Sequence, residues 1–139
     1  MSKIFFDWEK KEFYHVHSLY CRYRDICLDT HFFMRRYTDS SVINGKVYVL
    51  GGINGSDNIL NTLEVYDPTI EKWVLKKEMP TKRWGLSVTN LNNELYAIGG
   101  FVGVASLSVE STPRTEKYNP ITDTWLTVPS MNTSRGSVR

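Results

Sequence analysis

Val42-Ile43-Asn44-Gly45-Lys46-Val47-Tyr48-Val49-Leu50-Gly51-Gly52 reads as a β-hairpin that ends on a diglycine. Asn-Gly supplies the two positive φ angles of a tight two-residue turn, and β-branched residues flank it on both sides. The diglycine closes an apolar strand. Gly there permits backbone torsions and close approaches that a Cβ would forbid. The pattern recurs. Val88 to Ile98 forms a second hairpin with Asn92-Asn93 at its turn, and Gly99-Gly100 follows. Asn tolerates the left-handed region better than most residues do.

Working outward from the hairpins, the self-similarity extends along most of the chain. Glu64-Val65-Tyr66-Asp67-Pro68 returns as Glu116-Lys117-Tyr118-Asn119-Pro120, and Trp73, Met79 and Arg83 return as Trp125, Met131 and Arg135. The offset between copies widens once, which places an insertion in the stretch Phe101 to Arg114. Insertions concentrate in exposed loops. Asp67-Pro68 and Asn119-Pro120 are turn initiators after a third strand, and Trp73 and Trp125 begin a fourth. Burying an indole removes ~150–250 Å² from water, which at ~25 cal/mol/Å² stabilises by roughly 4–6 kcal/mol. Both Trp residues are therefore expected in the core rather than in a ligand cage.

Four strands in a period near 50, carrying the ordered set Gly-Gly, Tyr-x-Pro, Trp, Met and Arg twice, resemble the kelch repeat. The resemblance covers about residues 34–139. It implies that each repeat is one blade of a β-propeller, so the expected fold class is all-β, with two four-stranded antiparallel blades of an incomplete propeller. The expected units are an amino-terminal extension or degraded repeat over 1–33, repeats over 34–80 and 81–132, and the start of a further repeat over 133–139. Gly51, Gly52, Tyr66, Trp73, Gly99, Gly100, Tyr118 and Trp125 are its structural motif residues. Met34-Arg35-Arg36-Tyr37 parallels Met79 to Trp84 with Arg36 set against Arg83, which makes the first copy one residue short.

Residues 1–40 have a different composition. They hold no Gly or Pro, both cysteines, all three histidines and 10 of the 18 aromatics. Two readings compete there. Phe6-Asp7 and Phe13 repeat the spacing of Tyr66-Asp67 and Trp73, which suggests a degraded repeat. Val16, Leu19, Tyr20, Tyr23, Ile26 and Cys27 follow one apolar helical face, which predicts a helix within 15–29.

Charge is nearly balanced, with 17 Lys plus Arg against 15 Asp plus Glu. That argues against nucleic acid or an anionic membrane as partner. No apolar run reaches the ~20 residues needed to cross a bilayer. The start lacks the apolar stretch of a signal peptide, so a cytoplasmic location is expected. Cys21 and Cys27 read as reduced thiols, and His15-x-His17 lacks a third metal ligand at a usual spacing. Neither diglycine has the spacing of a nucleotide loop, so no cofactor is expected.

Three function classes are open to such a chain. The resemblance implies a protein-interaction module. Such propellers commonly follow BTB and BACK domains and select substrates for cullin-based ubiquitin ligases, while other members bind actin. Forty residues leave no room for a BTB domain, so a chain that binds without recruiting a ligase is expected to compete, unless it is a non-functional fragment. Recognition is expected on the loops Ile53–Asn61 and Phe101–Arg114, and at Arg83, Trp84, Phe101 and Arg135. A guanidinium fork suits an acidic peptide, whereas a structural inter-blade salt bridge or backbone contact is the other role open to these arginines. Further blades or other chains are expected to close the propeller. Catalysis is not expected. Residues 41–139 contain no Cys or His for a copper site, and Asp57, Glu94 and Asp123 show no carboxylate pairing of the kind sugar hydrolysis needs.

Overall fold

The computed structural model describes residues 2–7, 12–17, 35–103 and 109–137. All its regular elements are β-strands. Strands β1 (Ser2–Asp7) and β2 (Glu12–His17) form an antiparallel pair. Strands β3 (Asp39–Ile43), β4 (Lys46–Leu50), β5 (Leu63–Asp67) and β6 (Lys72–Lys76) form one four-stranded antiparallel sheet in that order. Strands β7 (Ser87–Leu91), β8 (Glu94–Ile98), β11 (Thr115–Asn119) and β12 (Thr124–Val128) form a second with the same order. The short strands β9 (Phe101–Val102) and β10 (Glu110–Ser111) pair with each other and lie in the longer loop of the second sheet.

The hairpin turns follow from the residues at them. Asn44 and Gly45 sit at φ 50° and 74°, and Asn92 and Asn93 at 54° and 61°. These are the two left-handed positions that a tight β-hairpin demands. The apolar sides of the strands make one core across both sheets, including Ile43, Tyr48, Leu50, Leu63, Val65, Leu95, Ala97 and Tyr118.

Polar contacts at both the inner and the outer strands hold the two sheets together. At the inner strands, Asp39 on β3 accepts from the Val88 amide at 2.8 Å. Asn90 on β7 donates to the Val42 carbonyl at 3.1 Å. Toward the outer strands, both backbone groups of Lys77 are used. Its amide donates to Asp123 at 3.0 Å, and its carbonyl accepts from the Trp125 indole at 2.8 Å. Trp125→Phe keeps most of the ring but orphans that carbonyl. We expect a loss of about 0.5–1.5 kcal/mol, read from the urea midpoint of the full chain.

The tryptophans depart from expectation in degree. Each stacks on the motif tyrosine opposite it, Tyr66–Trp73 and Tyr118–Trp125, both with centroids 5.1 Å apart. Trp125 is partly buried against the core, but Trp73 stays 38% exposed. Both stand on the fourth strand, the outer edge of the sheet, and Trp125 is covered further by Lys77 of the preceding sheet, whose carbonyl its indole reaches at 2.8 Å.

The structure bears on two expectations for the first part of the chain. Residues 15–17 of the expected helix belong to β2, and residues 18–29 lie outside the described residues. Phe6 pairs with Phe13 across β1 and β2, as Tyr66 pairs with Trp73 and Tyr118 with Trp125. The hairpin thus has the register of the outer strand pair of each sheet.

The second expectation, the alignment of the first repeat, is corrected. Arg36 exchanges both backbone hydrogen bonds with Ile53, and Trp84 exchanges both with Phe101. Arg36 therefore matches Trp84, Arg35 matches Arg83, and the first copy is not one residue short.

On the turn side, Lys46 and Asp67 form an ion pair at 2.7 Å. The Lys46 ammonium, helped by Thr69, holds the Asp67 carboxyl at about 2, below the usual carboxylate range. A depressed carboxyl contributes stability above its unfolded value near 4 and loses it as pH falls through about 2. The stability gap between the native chain and Lys46→Met should therefore close between about pH 4 and pH 2, as followed by thermal melts. A gap unchanged across that range would remove the pair from the account.

Candidate functional site

The loops that leave β4 and β8 and the segments that enter β3 and β7 gather on one rim, opposite the hairpin turns. Four of the sequence-derived candidates, Arg83, Trp84, Phe101 and Arg135, lie along it, and the structure gives them different fates.

Arg83 is fully buried. Its guanidinium bonds Glu116 at 2.7 Å and donates to the carbonyls of Gly99 at 2.9 Å, Arg114 at 2.8 Å and Ala97 at 3.2 Å. Thr81 holds the other Glu116 oxygen at 2.6 Å. Burial pulls the Arg83 pKa down, and the Glu116 charge opposes that fall. Arg83 is therefore corrected from a partner-binding residue to a structural one: a cation with no exposure and its donors already used has nothing to offer a partner. Its backbone joins the first sheet, since its carbonyl accepts from the Gly52 amide at 3.0 Å. Arg35 repeats the arrangement in the first sheet, pairing with Glu64 and donating to Thr62 at 2.9 Å.

Arg135 is the third of the series. Its carbonyl accepts from the Gly100 amide at 2.8 Å, as that of Arg83 does from Gly52. Its side chain is exposed. By its backbone position it matches the two buried arginines.

Trp84 and Phe101 come together as expected, with ring centroids 4.6 Å apart. Sequence reasoning missed the third ring. Tyr37 lies 5.1 Å from Trp84 on its other side, so three aromatics form a ridge over the junction of the two sheets. Tyr37, Gly85 and Ser137 occupy matching sites, linked by backbone bonds from Gly85 to Tyr37 at 2.9 Å and from Ser137 to Gly85 at 2.6 Å. The signal was present in principle: counting 48 residues back from Gly85 lands on Tyr37. Beside it, exposed Arg36 pairs with exposed Asp57 from the first loop.

The motif glycines are where that rim is assembled. A Cβ on Gly51 would stand 2.6 Å from the Arg83 carbonyl, and one on Gly100 would stand 2.9 Å from that of Trp84. Among the described residues, no group of His, Cys, Asp and Glu is placed to hold a metal ion.

The family model of the Kelch motif matches residues 34–80 and 83–132. The chain belongs to the kelch-repeat family. Kelch-like protein 40 of Xenopus laevis is 36% identical over 74 residues, which are 53% of this chain and 12% of that protein. Kelch-like protein 25 of Homo sapiens is 32% identical over 98 residues, 68% of this chain and 17% of that protein. An F-box/kelch-repeat protein of Arabidopsis thaliana is 30% identical over 83 residues, 60% of this chain and 21% of its own length. The kelch chain thus spans well under a quarter of each of these relatives. The solved structure of YjhT superposes with a TM-score of 0.61 at 18% identity, over 73% of this chain and 30% of that one. That likeness carries the fold: the two sheets are kelch blades of propeller type.

Proposed function

We propose that this kelch chain is a protein-interaction module whose rim of blade-entry segments and inter-strand loops takes the partner, in the manner of the substrate-recognition part of a BTB–kelch ubiquitin-ligase adaptor. The observation that carries the reading is the ridge of exposed Tyr37 and half-buried Trp84 and Phe101 at the junction of the two blades. Aromatic side chains dominate the energetics of protein contacts because they bury much area with little loss of side-chain freedom. The Kelch-like relatives support the interaction class. The reading is non-enzymatic and places the chain in the cytoplasm. Where the chain binds a partner without recruiting a ligase, it acts as a competitor.

The test uses the full chain fused to a proximity-labelling enzyme in cells. A defined set of labelled proteins should be lost when Trp84→Ala and Phe101→Ala are combined in a variant that remains folded. Retention of the same set by that variant would overturn the assignment of the rim. For a partner so identified, adding the chain should slow its turnover, and unchanged turnover despite binding would reject the competitor role. Co-sedimentation with filamentous actin would redirect the reading to the cytoskeleton.

A further inference from the structure

The tripeptide Ile-Asn-Gly occurs twice, as Ile43-Asn44-Gly45 and as Ile53-Asn54-Gly55. Asparagine before glycine is chemically labile. With no Cβ on the following residue, its amide nitrogen can reach the asparagine side-chain carbonyl carbon and close a cyclic imide. Because their immediate neighbours are the same, the two sites share nearly one intrinsic reactivity. Any large difference between them is made by the fold.

Asn54 is tied by both side chain and backbone. Its Oδ1 accepts from the amides of Ser56 at 3.0 Å and Asn58 at 2.9 Å. Its own amide donates to the Asn58 carbonyl at 3.0 Å, and its carbonyl accepts from the Asp57 amide at 3.1 Å. The carboxamide must release both of its bonds before it can turn to the Gly55 nitrogen. Asn44 stands at the tip of the β3–β4 hairpin instead. It is exposed, and among the described residues no hydrogen bond restrains its carboxamide. Gly45 beside it is open as well, with nothing within 4 Å of a would-be Cβ. The second hairpin supplies an internal comparison. Asn92 has nearly the backbone of Asn44, at φ 54° against 50°. The residue after it is Asn93, which carries a Cβ and whose amide is bound to Asn90 Oδ1 at 3.1 Å. Of these three asparagines, Asn44 alone joins an unrestrained carboxamide to a glycine amide.

We infer that Asn44 is a site of spontaneous modification, converting through a cyclic imide to isoaspartate and aspartate, and that Asn54 is protected from the same reaction. The Gly45 nitrogen loses its proton, bonds to Asn44 Cγ and expels the side-chain nitrogen as ammonia. Water then opens the imide at one of its two carbonyls, so asparagine and water become an acid and ammonia. One opening restores the ordinary main chain with an aspartate. The other routes the main chain through the former side chain, which gives isoaspartate and one more methylene in the backbone. The two products differ in effect. Aspartate tolerates the left-handed backbone much as asparagine does. Isoaspartate lengthens a two-residue turn that sets the Ile43–Lys46 register, and register in a hairpin depends on loop length. That end of the hairpin carries Ile43, buried in the core, and Val42, whose carbonyl holds Asn90 of the second blade. Modification at one exposed turn therefore loosens the joint between the blades.

The test holds the full chain in warm, mildly alkaline buffer and digests it with trypsin, which puts Asn44 in the peptide 37–46 and Asn54 in the peptide 47–72. Mass spectrometry reads the conversion of each amide to an acid. In the folded chain Asn44 should convert faster than Asn54 by about tenfold or more, since Asn54 must first give up two hydrogen bonds. In urea the two rates should converge, because the tripeptides are identical. Isoaspartyl methyltransferase with labelled S-adenosylmethionine should methylate the peptide 37–46 of the aged chain, and not that of Asn44→Asp. The aged isoaspartate chain, separated by ion exchange, should melt below Asn44→Asp, whose midpoint stays near that of the parent. Conversion of Asn54 as fast as Asn44 in the folded chain would overturn the inference. A rate difference that survives urea would do the same, since the fold would then not be its cause. Absence of methyl acceptance in the peptide 37–46 would also overturn it. Equal midpoints for the isoaspartate chain and Asn44→Asp would remove the effect on the joint between the blades.

Discussion

Arg83→Met is expected to lower the unfolding free energy by about 3–5 kcal/mol, enough to take most of the stability of a small domain. The substitution leaves Glu116 buried beside no cation and strips donors from the carbonyls of Ala97, Gly99 and Arg114. An ionised carboxylate in that position either stays charged at a large desolvation cost or takes up a proton. The double variant Arg83→Met with Glu116→Leu should recover much of the loss, because a buried ion pair is often no better than well-packed apolar residues of similar size. The Arg114 carbonyl keeps the Gly99 amide at 2.9 Å, but all three carbonyls lose their guanidinium donors in both variants, so recovery should be incomplete. Arg35→Met in the first blade should cost less, since the Arg35 and Glu64 side chains keep 9% and 18% exposure against 0% for both members of the second pair. Urea unfolding of the four proteins checks all of this. A single Arg83→Met loss below about 1 kcal/mol, typical of an exposed pair, would mean the guanidinium is hydrated in solution.

The second large effect is expected at the diglycine. Gly51 sits at φ 63°, and a Cβ there would stand 2.6 Å from the Arg83 carbonyl oxygen. That carbonyl is the acceptor for the Gly52 amide at 3.0 Å, so it cannot move away without breaking the link between blades. Gly51→Ala should therefore cost about 2–5 kcal/mol, from about 1–2 for the left-handed backbone and about 1–3 for overpacking. Gly45→Ala is the control. Gly45 has φ 74° but nothing within 4 Å of its would-be Cβ, so only the backbone contribution of about 1–2 kcal/mol applies. Equal losses at the two positions, measured by urea unfolding, would show that the close approach at Gly51 is not maintained in solution.

These two predictions mark the boundary between local and distant information. The hairpins were legible in the sequence because their determinants are neighbours along the chain. Asn44-Gly45 and Asn92-Asn93 prefer the positive φ angles that a tight turn requires, and the residues flanking them alternate in and out of the core. The diglycines were legible for the same reason, since the need for a missing Cβ recurs at each strand end. Even the amino-terminal hairpin shows in its spacing, because Phe6 and Phe13 stand opposite each other wherever the turn between them has the same length.

What could not be read is the fate of side chains that project between elements far apart in sequence. Arg36 and Arg135 both looked equivalent to Arg83. The pairing with Ile53 makes Arg36 the match of Trp84 instead, and Arg35 goes to Glu64. Arg83 disappears into the second blade because Glu116, 33 residues away, waits there beside the carbonyls of Ala97, Gly99 and Arg114. Arg135 stays exposed with the same backbone setting. Burial of a charge depends on what encloses it, and that is a property of the packed blades rather than of the residue. The same holds for Tyr37. Nothing nearby in the chain explains a tyrosine in the left-handed region. Only the assembled junction, with the Gly85 amide on its carbonyl and Trp84 against its ring, holds it there and puts an aromatic ring at a repeat position that Gly85 and Ser137 occupy in the other copies.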